Sequence, residues 1–112
     1  MALADLDSVI RTARRGVIVV WNDAAYGAEV HTYGLMGLDE APMRIDEADF
    51  AGIARSLGGR GDVIRSLDDL GEVERWLASG EPGVYLLDCR ISTSVVAPYQ
   101  REIYDHAMAI SA

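Results

Sequence analysis

Residues 17–21 read Val-Ile-Val-Val-Trp, an unbroken run of β-branched and aromatic side chains without a charge. Such a run suits a pleated strand better than a helix and lacks the polar alternation of a strand with one wet face. It predicts a strand buried on both faces, the condition met in parallel sheets. Parallel strands need crossover connections, usually helical. This short stretch therefore constrains the chain to the α/β class, provided the flanking sequence supplies helices and further strands.

It supplies both. Leu3, Leu6, Val9, Ile10 and Ala13 recur at helical spacing, with Asp5 and Asp7 early and Arg11, Arg14 and Arg15 late, as the helix dipole favours; Gly16 is read as the stop. Tyr26 to Tyr33 predicts a short helix, and Gly34, Gly37 and Pro42 make residues 34–45 a loop. Asp46 or Asp49 caps a helix with Phe50, Ile53, Ala54 and Leu57 on one face. Gly58 to Gly61 ends it. Phosphate-cradling glycines follow a strand and open a helix, whereas these join a helix to a strand, so they read as a turn. Asp62 to Ser66 is a short strand, and Ser66 caps a helix carrying Leu67, Leu70, Val73, Trp76 and Leu77. After the turn Gly80 to Gly83, Val84 to Cys89 is the third strand, and Pro98 opens a last helix through Met108. The order α-β-α-α-β-α-β-α predicts a three-layer α/β/α sandwich around a parallel sheet, with Trp21, Trp76 and Phe50 in the core.

A chain of 112 residues is one small domain, and its 50% hydrophobic content is enough to fold. The net charge of -8 argues against nucleic acid and anionic membrane as partners. Its densest acidic cluster, Asp39, Glu40, Asp46, Glu47 and Asp49, reads as solvated loop and helix start. A lone cysteine, Cys89, excludes an internal disulfide and fits a reducing compartment. No run reaches transmembrane length, and Met1 to Arg15 lacks the order of a signal peptide, which predicts a cytoplasmic protein.

The first strand ends in Asn22-Asp23, at the carboxyl edge where open α/β sheets bind ligands. Asp23 offers a carboxylate, and the small Ala24 and Ala25 leave a backbone carbonyl accessible, donors suited to a hard cation such as magnesium. From spacing alone, a turn in which Asn22 and Asp23 cap backbone groups is the preferred reading. His31 and His106 lie too far apart to suggest a metal pair. His31 reads as a surface or packing residue, Asp88 as a capping residue, and Cys89 as a small buried hydrophobe. Ser92, Thr93 and Ser94 have no histidine placed as a base.

Trp21-Asn22-Asp23-Ala24-Ala25-Tyr26-Gly27 resembles the end of the cofactor motif of thiamine-diphosphate enzymes of the acetolactate synthase and 2-oxo acid decarboxylase group. In that family a motif opening Gly-Asp-Gly closes with Asn-Asn after a hydrophobic strand, and Tyr-Gly often follows. The likeness continues through Asp49-Phe50-Ala51-Gly52-Ile53-Ala54, Leu57-Gly58, Leu70, Pro82-Gly83 and Leu86-Leu87-Asp88, nearly the whole chain. It implies that Asp23 and the Ala25 carbonyl bind magnesium, that Asn22, Tyr26 and Gly27 lie close to thiamine diphosphate, and that His31 is on the segment that approaches substrate, which leaves a substrate contact as the alternative to its surface or packing role. Asp23 stands where the family has asparagine, and keeps an oxygen donor. The family's strand order sets residues 84–89 between the other two strands.

The resemblance also implies what these residues lack. Only 21 positions precede Asn22, so Gly-Asp-Gly, with its metal-binding aspartate, is expected upstream of Met1. The pyrimidine-binding domain, whose glutamate activates the cofactor, is likewise outside the sequence. Residues 1–112 are therefore expected to form the C-terminal portion of a thiamine-diphosphate-binding domain, with no catalytic residue of its own and no activity alone. The complete enzyme would break or form a carbon–carbon bond beside a 2-oxo acid's carbonyl. The alternative expectation is a stand-alone subunit or interaction module that completes a site with a partner chain carrying the missing motif and the pyrimidine domain. In the family an upstream strand pairs with residues 17–21. Without it that strand is a sheet edge, which predicts a homo-oligomer.

Overall fold

The computed structural model describes residues 3–111; the expectations attached to Met1, and the side chain of Leu3, lie outside the described residues. The chain forms two compact units. The first comprises the residues up to Asn22 together with Ala48–Ile91, and the second Asp23–Glu47 together with the residues from Ser92 onward.

The first unit is built on three parallel strands, β1 (Arg15–Asn22), β2 (Arg60–Ile64) and β3 (Gly83–Arg90), in the order β1-β3-β2. The α/β class is as the sequence predicts, and the central place of β3 is the one the resemblance implies. Val17 lies beside Tyr85, Val19 beside Leu87, and Gly61 beside Leu86. Residues 84–88 are all buried, so β3 is covered on both faces. Helices α1 (Leu3–Thr12) and α3 (Phe50–Ser56) pack on the face carrying Val84 and Leu86. Gly61 permits this approach: a Cβ there would lie 2.7 Å from the Ala51 carbonyl oxygen. It is thus a strand residue against α3, Arg60 is likewise part of β2, and of the run read as a turn only Gly58, at φ 92°, and Gly59 lie in it.

Helix α4 (Gly71–Ser79) covers the opposite face, where Val73 and Trp76 pack with Ile64, Tyr85 and Leu87. The Trp76 and Tyr85 rings meet edge-on at 5.3 Å. Ser66 and Asp69 form a capping box around a 3-10 turn, Leu67–Leu70, that leads into α4. The Arg65 and Ser66 backbone N–H groups hold the Asp69 carboxyl below its usual range. Gly80, at φ 71°, ends α4. Arg15 lies 4.7 Å over the Trp76 ring and donates to the Trp76 and Leu77 carbonyls, closing the helix's last turn.

Three sequence expectations need correction. β1 is not buried on both faces: its residues alternate between exposed and half-buried. Trp21 is 69% exposed rather than core, because α4 packs on β2 and β3 and meets β1 at its first residue, Arg15, well away from Trp21. Gly16 does not stop α1, which ends at Thr12; Arg15 and Gly16 already pair with β3. Trp76 is in the core, and Phe50 is half-buried.

The second unit contains α2 (Gly27–Leu35), a 3-10 turn (Ala41–Met43) and α5 (Pro98–Ser111), with α2 packed on α5. His31 joins them: Nε2 donates to the Thr93 carbonyl and Nδ1 bonds the Gln100 side-chain amide, both at 3.0 Å. That is the packing role expected of it. No helix among the described residues is long and apolar enough to cross a membrane.

Burial, reinforced by a hydrogen bond to Asp62, pushes the Tyr85 hydroxyl up to about 12 from 10.0. The unfolded chain ionises this group first, so the native state loses stability as pH rises from about 10 to about 12 and has it in full below 10. All ten basic residues are arginine, so no lysine titrates across this window. We expect denaturant midpoints to fall through it for the parent chain, and to fall less steeply for Tyr85→Phe. Equal slopes would show that Tyr85 does not govern alkaline unfolding.

Candidate functional site

The motif straddles the end of β1 and the turn that follows. Asn22 closes the strand and is 8% exposed. Its Nδ2 donates to Asp88 Oδ1 at 3.0 Å and to the Ala48 carbonyl at 3.1 Å, and its own carbonyl accepts from Ile91 N. Asp88 is fully buried. Its Oδ2 accepts from Phe50 N at 3.0 Å and from Arg90 Nη2 at 2.8 Å. Phe50 is the first residue of α3, so the carboxylate caps that helix, as expected of Asp88, while Asp49 caps Gly52 N. Arg90 also donates to the Ala48 carbonyl. A buried carboxylate is stable only when its oxygens are matched. Here the matching donors fasten the ends of β1 and β3 to the start of α3, and the Asn22 amide is part of that fastening.

The remaining motif residues belong to the second unit. Asp23 Oδ1 accepts from Ala25 N at 3.2 Å, the local turn expected of an aspartate here. Ala24 sits at φ 53°, a left-handed conformation that costs about 1 kcal/mol for a residue with a Cβ. The strain is held by an antiparallel bridge between Ala25 and Arg44, with Tyr26 N donating to the Met43 carbonyl and Ile45 N to that of Ala24. The Ala25 carbonyl accepts no hydrogen bond from the described residues. Gly27 begins α2, and a Cβ there would lie 2.2 Å from Asp23 Oδ2. Glycine therefore lets the Asp23 carboxylate rest against the first turn of α2, where the helix dipole favours an anion. Tyr26 is 59% exposed and makes no side-chain capping bond.

A carboxylate and an unused carbonyl are donors of the kind magnesium takes, but they fall short of an octahedral set. Among the described residues no group of three or more His, Cys, Asp or Glu side chains converges as a metal centre. Residues Asp23 and Ala25 fit a magnesium diphosphate in kind and not in number. The rest of the shell would come from phosphate, water or other protein.

Elsewhere the chemistry is quiet. Burial, then the Asp88 charge, pushes the Cys89 thiol up, which disfavours the nucleophilic thiolate. Ser92 and Ser94 bond one another, and the His31 ring reaches the Thr93 carbonyl rather than a hydroxyl. Sequence reasoning missed an open cavity of about 360 Å³ in the second unit, lined among others by His31, Glu40, Arg44, Thr93 and Arg101. These residues come from three separated segments with no shared spacing, so nothing in the sequence groups them. No protein-family model matches the chain, and no curated protein matches it.

Removing the Asp88 carboxylate takes a partner from three donors and leaves the charged Arg90 side chain, which is 9% exposed, with the Ala48 carbonyl in place of an anion. Asp88→Ala should lower unfolding free energy by about 3–5 kcal/mol in chemical denaturation. A loss under about 1 kcal/mol, the range of an exposed ion pair, would mean that the network does not hold the sheet edge.

Proposed function

We propose that the chain is the diphosphate-side portion of a thiamine-diphosphate- and magnesium-binding domain, of the kind found in acetolactate synthases and 2-oxo acid decarboxylases, and is inactive by itself. The observation that carries this reading is the turn after β1. There the Asp23 carboxylate rests against the Gly27 end of α2, and the neighbouring Ala25 carbonyl accepts no hydrogen bond from the described residues. Two further features support it: the motif follows the carboxyl end of a parallel strand, and the strand order is the one the resemblance implies.

In this role Asp23 and the Ala25 carbonyl supply part of the magnesium shell. Tyr26 and Gly27 form the wall beside the cofactor, and Asn22 positions the segment through its bond to Asp88. Thiamine diphosphate supplies the carbon–carbon bond chemistry when bound. The lone cysteine fits a cytoplasmic protein, and the acidic balance fits neither nucleic acid nor anionic membrane as partner.

The test has two arms. Calorimetric titration of the 112-residue chain with thiamine diphosphate and magnesium should show no clear binding, because too few donors are present; micromolar affinity, about -8 kcal/mol, would contradict this. Fused behind a Gly-Asp-Gly half and supplied with a pyrimidine domain, the chain should retain the cofactor in a magnesium-dependent way. Asp23→Ala should abolish that retention. Retention indifferent to the substitution would leave Asp23 a turn residue and remove the basis of the proposal.

A further inference from the structure

The second unit holds the open cavity of about 360 Å³, and no residue of the Asp23–Gly27 turn lines it. Part of the lining is apolar. α2 contributes Val30, which is buried, and Leu35, which is half-buried, and the connection between β3 and α5 contributes Val96. His31 ties these walls together, since one ring nitrogen bonds the Thr93 carbonyl and the other the Gln100 side chain. The space between α2, the connection and the first turn of α5 is therefore framed by fixed elements.

The rest of the lining is polar, and its charges are unequal. Arg44 is held by Glu40 at 2.9 Å, and the Glu40 carboxylate also rests against Gly34, where a Cβ would collide with it. That pair is neutral within itself. Arg101, in the first turn of α5, is exposed and bonds none of the described residues. The Thr93 hydroxyl is equally unengaged among them, because His31 takes the Thr93 carbonyl. In a chain of net charge -8 this cavity thus carries one cation in excess.

We propose that the cavity binds a small monocarboxylate with a short aliphatic body, its carboxylate on Arg101 and its aliphatic end on Val30, Leu35 and Val96. A guanidinium matches a carboxylate with two parallel N–H···O bonds, and such bonds are about twice as strong as neutral ones. The Thr93 hydroxyl supplies a further donor. The single excess charge sets the valence. A phosphate or dicarboxylate would bring a second negative charge into a space that already holds Glu40, with no second unpaired cation to meet it. An uncharged ligand would leave Arg101 unmatched. The volume lies at the low end of the range of ligand pockets, about 300–1,000 Å³, which suits a small molecule rather than a polymer segment. This inference uses none of residues 22–27, so it stands independently of the cofactor reading.

Titration of the 112-residue chain with isovalerate, followed through amide chemical shifts, should give saturable shifts clustered at Val30, His31, Gly34, Thr93 and Arg101. The dissociation constant should be millimolar, as befits a ligand of few atoms. Isovaleramide has the body without the charge, and acetate the charge without the body. Each should bind at least about tenfold more weakly, as should isovalerate to Arg101→Gln. Arg101 bonds nothing among the described residues, so this variant should keep the parent's fold and its far-UV dichroism. Absence of saturable shifts, shifts clustered elsewhere, equal affinity for isovaleramide or acetate, tighter binding of inorganic phosphate, or affinity unchanged in Arg101→Gln would each overturn the proposal. Should Arg101→Gln fail to fold, the ligand series on the parent chain still decides it.

Discussion

A single buried carboxylate organises the carboxyl edge of the sheet. Asp88 lies at the carboxyl end of the central strand, where a parallel sheet opens and backbone groups run out of strand partners. It joins Asn22 from β1, Phe50 N from α3 and Arg90 from its own strand. Each bond alone contributes about 1–3 kcal/mol. Their joint effect is geometric, because three elements far apart in sequence share one anion. The ends of β1 and β3 and the start of α3 cannot move independently without exposing an unmatched charge. Asn22 is fixed by this network, and the chain leaves the sheet from Asn22 into the Asp23–Gly27 turn.

The parts of the fold that were legible in the sequence are those where local pattern and tertiary environment agree. Residues 84–88 form an unbroken apolar run ending in Asp88, and β3 is indeed covered on both faces. Ser66 marks a helix start in the sequence, and it caps the 3-10 turn that leads into α4, with Asp69 completing the box. Val73 and Trp76 fall on one helical face and both enter the core. The same logic misplaced Trp21. Its run is as apolar as β3, but burial of a strand depends on which helices lie over it, and no periodicity within residues 17–21 encodes that. Gly61 misled for the opposite reason: a glycine reads as a turn, yet here it is a strand residue whose missing Cβ admits α3.

The candidate site was legible as a segment and not as a geometry. Asn22 and Asp23 are adjacent polar residues at a strand end, and sequence reasoning gave both the same alternatives, cap or ligand. The structure separates them. Asn22 is committed to Asp88 and Ala48, whereas Asp23 turns back onto Ala25 N and against Gly27. The distinction depends on Asp88, 66 residues from Asn22, and a contact of that range leaves no mark in the local pattern. The left-handed Ala24 is equally invisible, since alanine carries none of the signals by which glycine or asparagine mark such positions.

On the cofactor reading, Asp23 and the Ala25 carbonyl offer too few oxygens to hold magnesium alone, so metal affinity would rise only as further donors arrive from phosphate, water or other protein. The left-handed Ala24 and the contact of Asp23 with the first turn of α2 set those two oxygens in place beforehand, so the ordering cost of the segment falls on folding rather than on binding. Without an ion the same segment is a closed turn, because Asp23 already accepts from Ala25 N. What separates a ligand site from a turn here is therefore the number of oxygens that converge, not their kind.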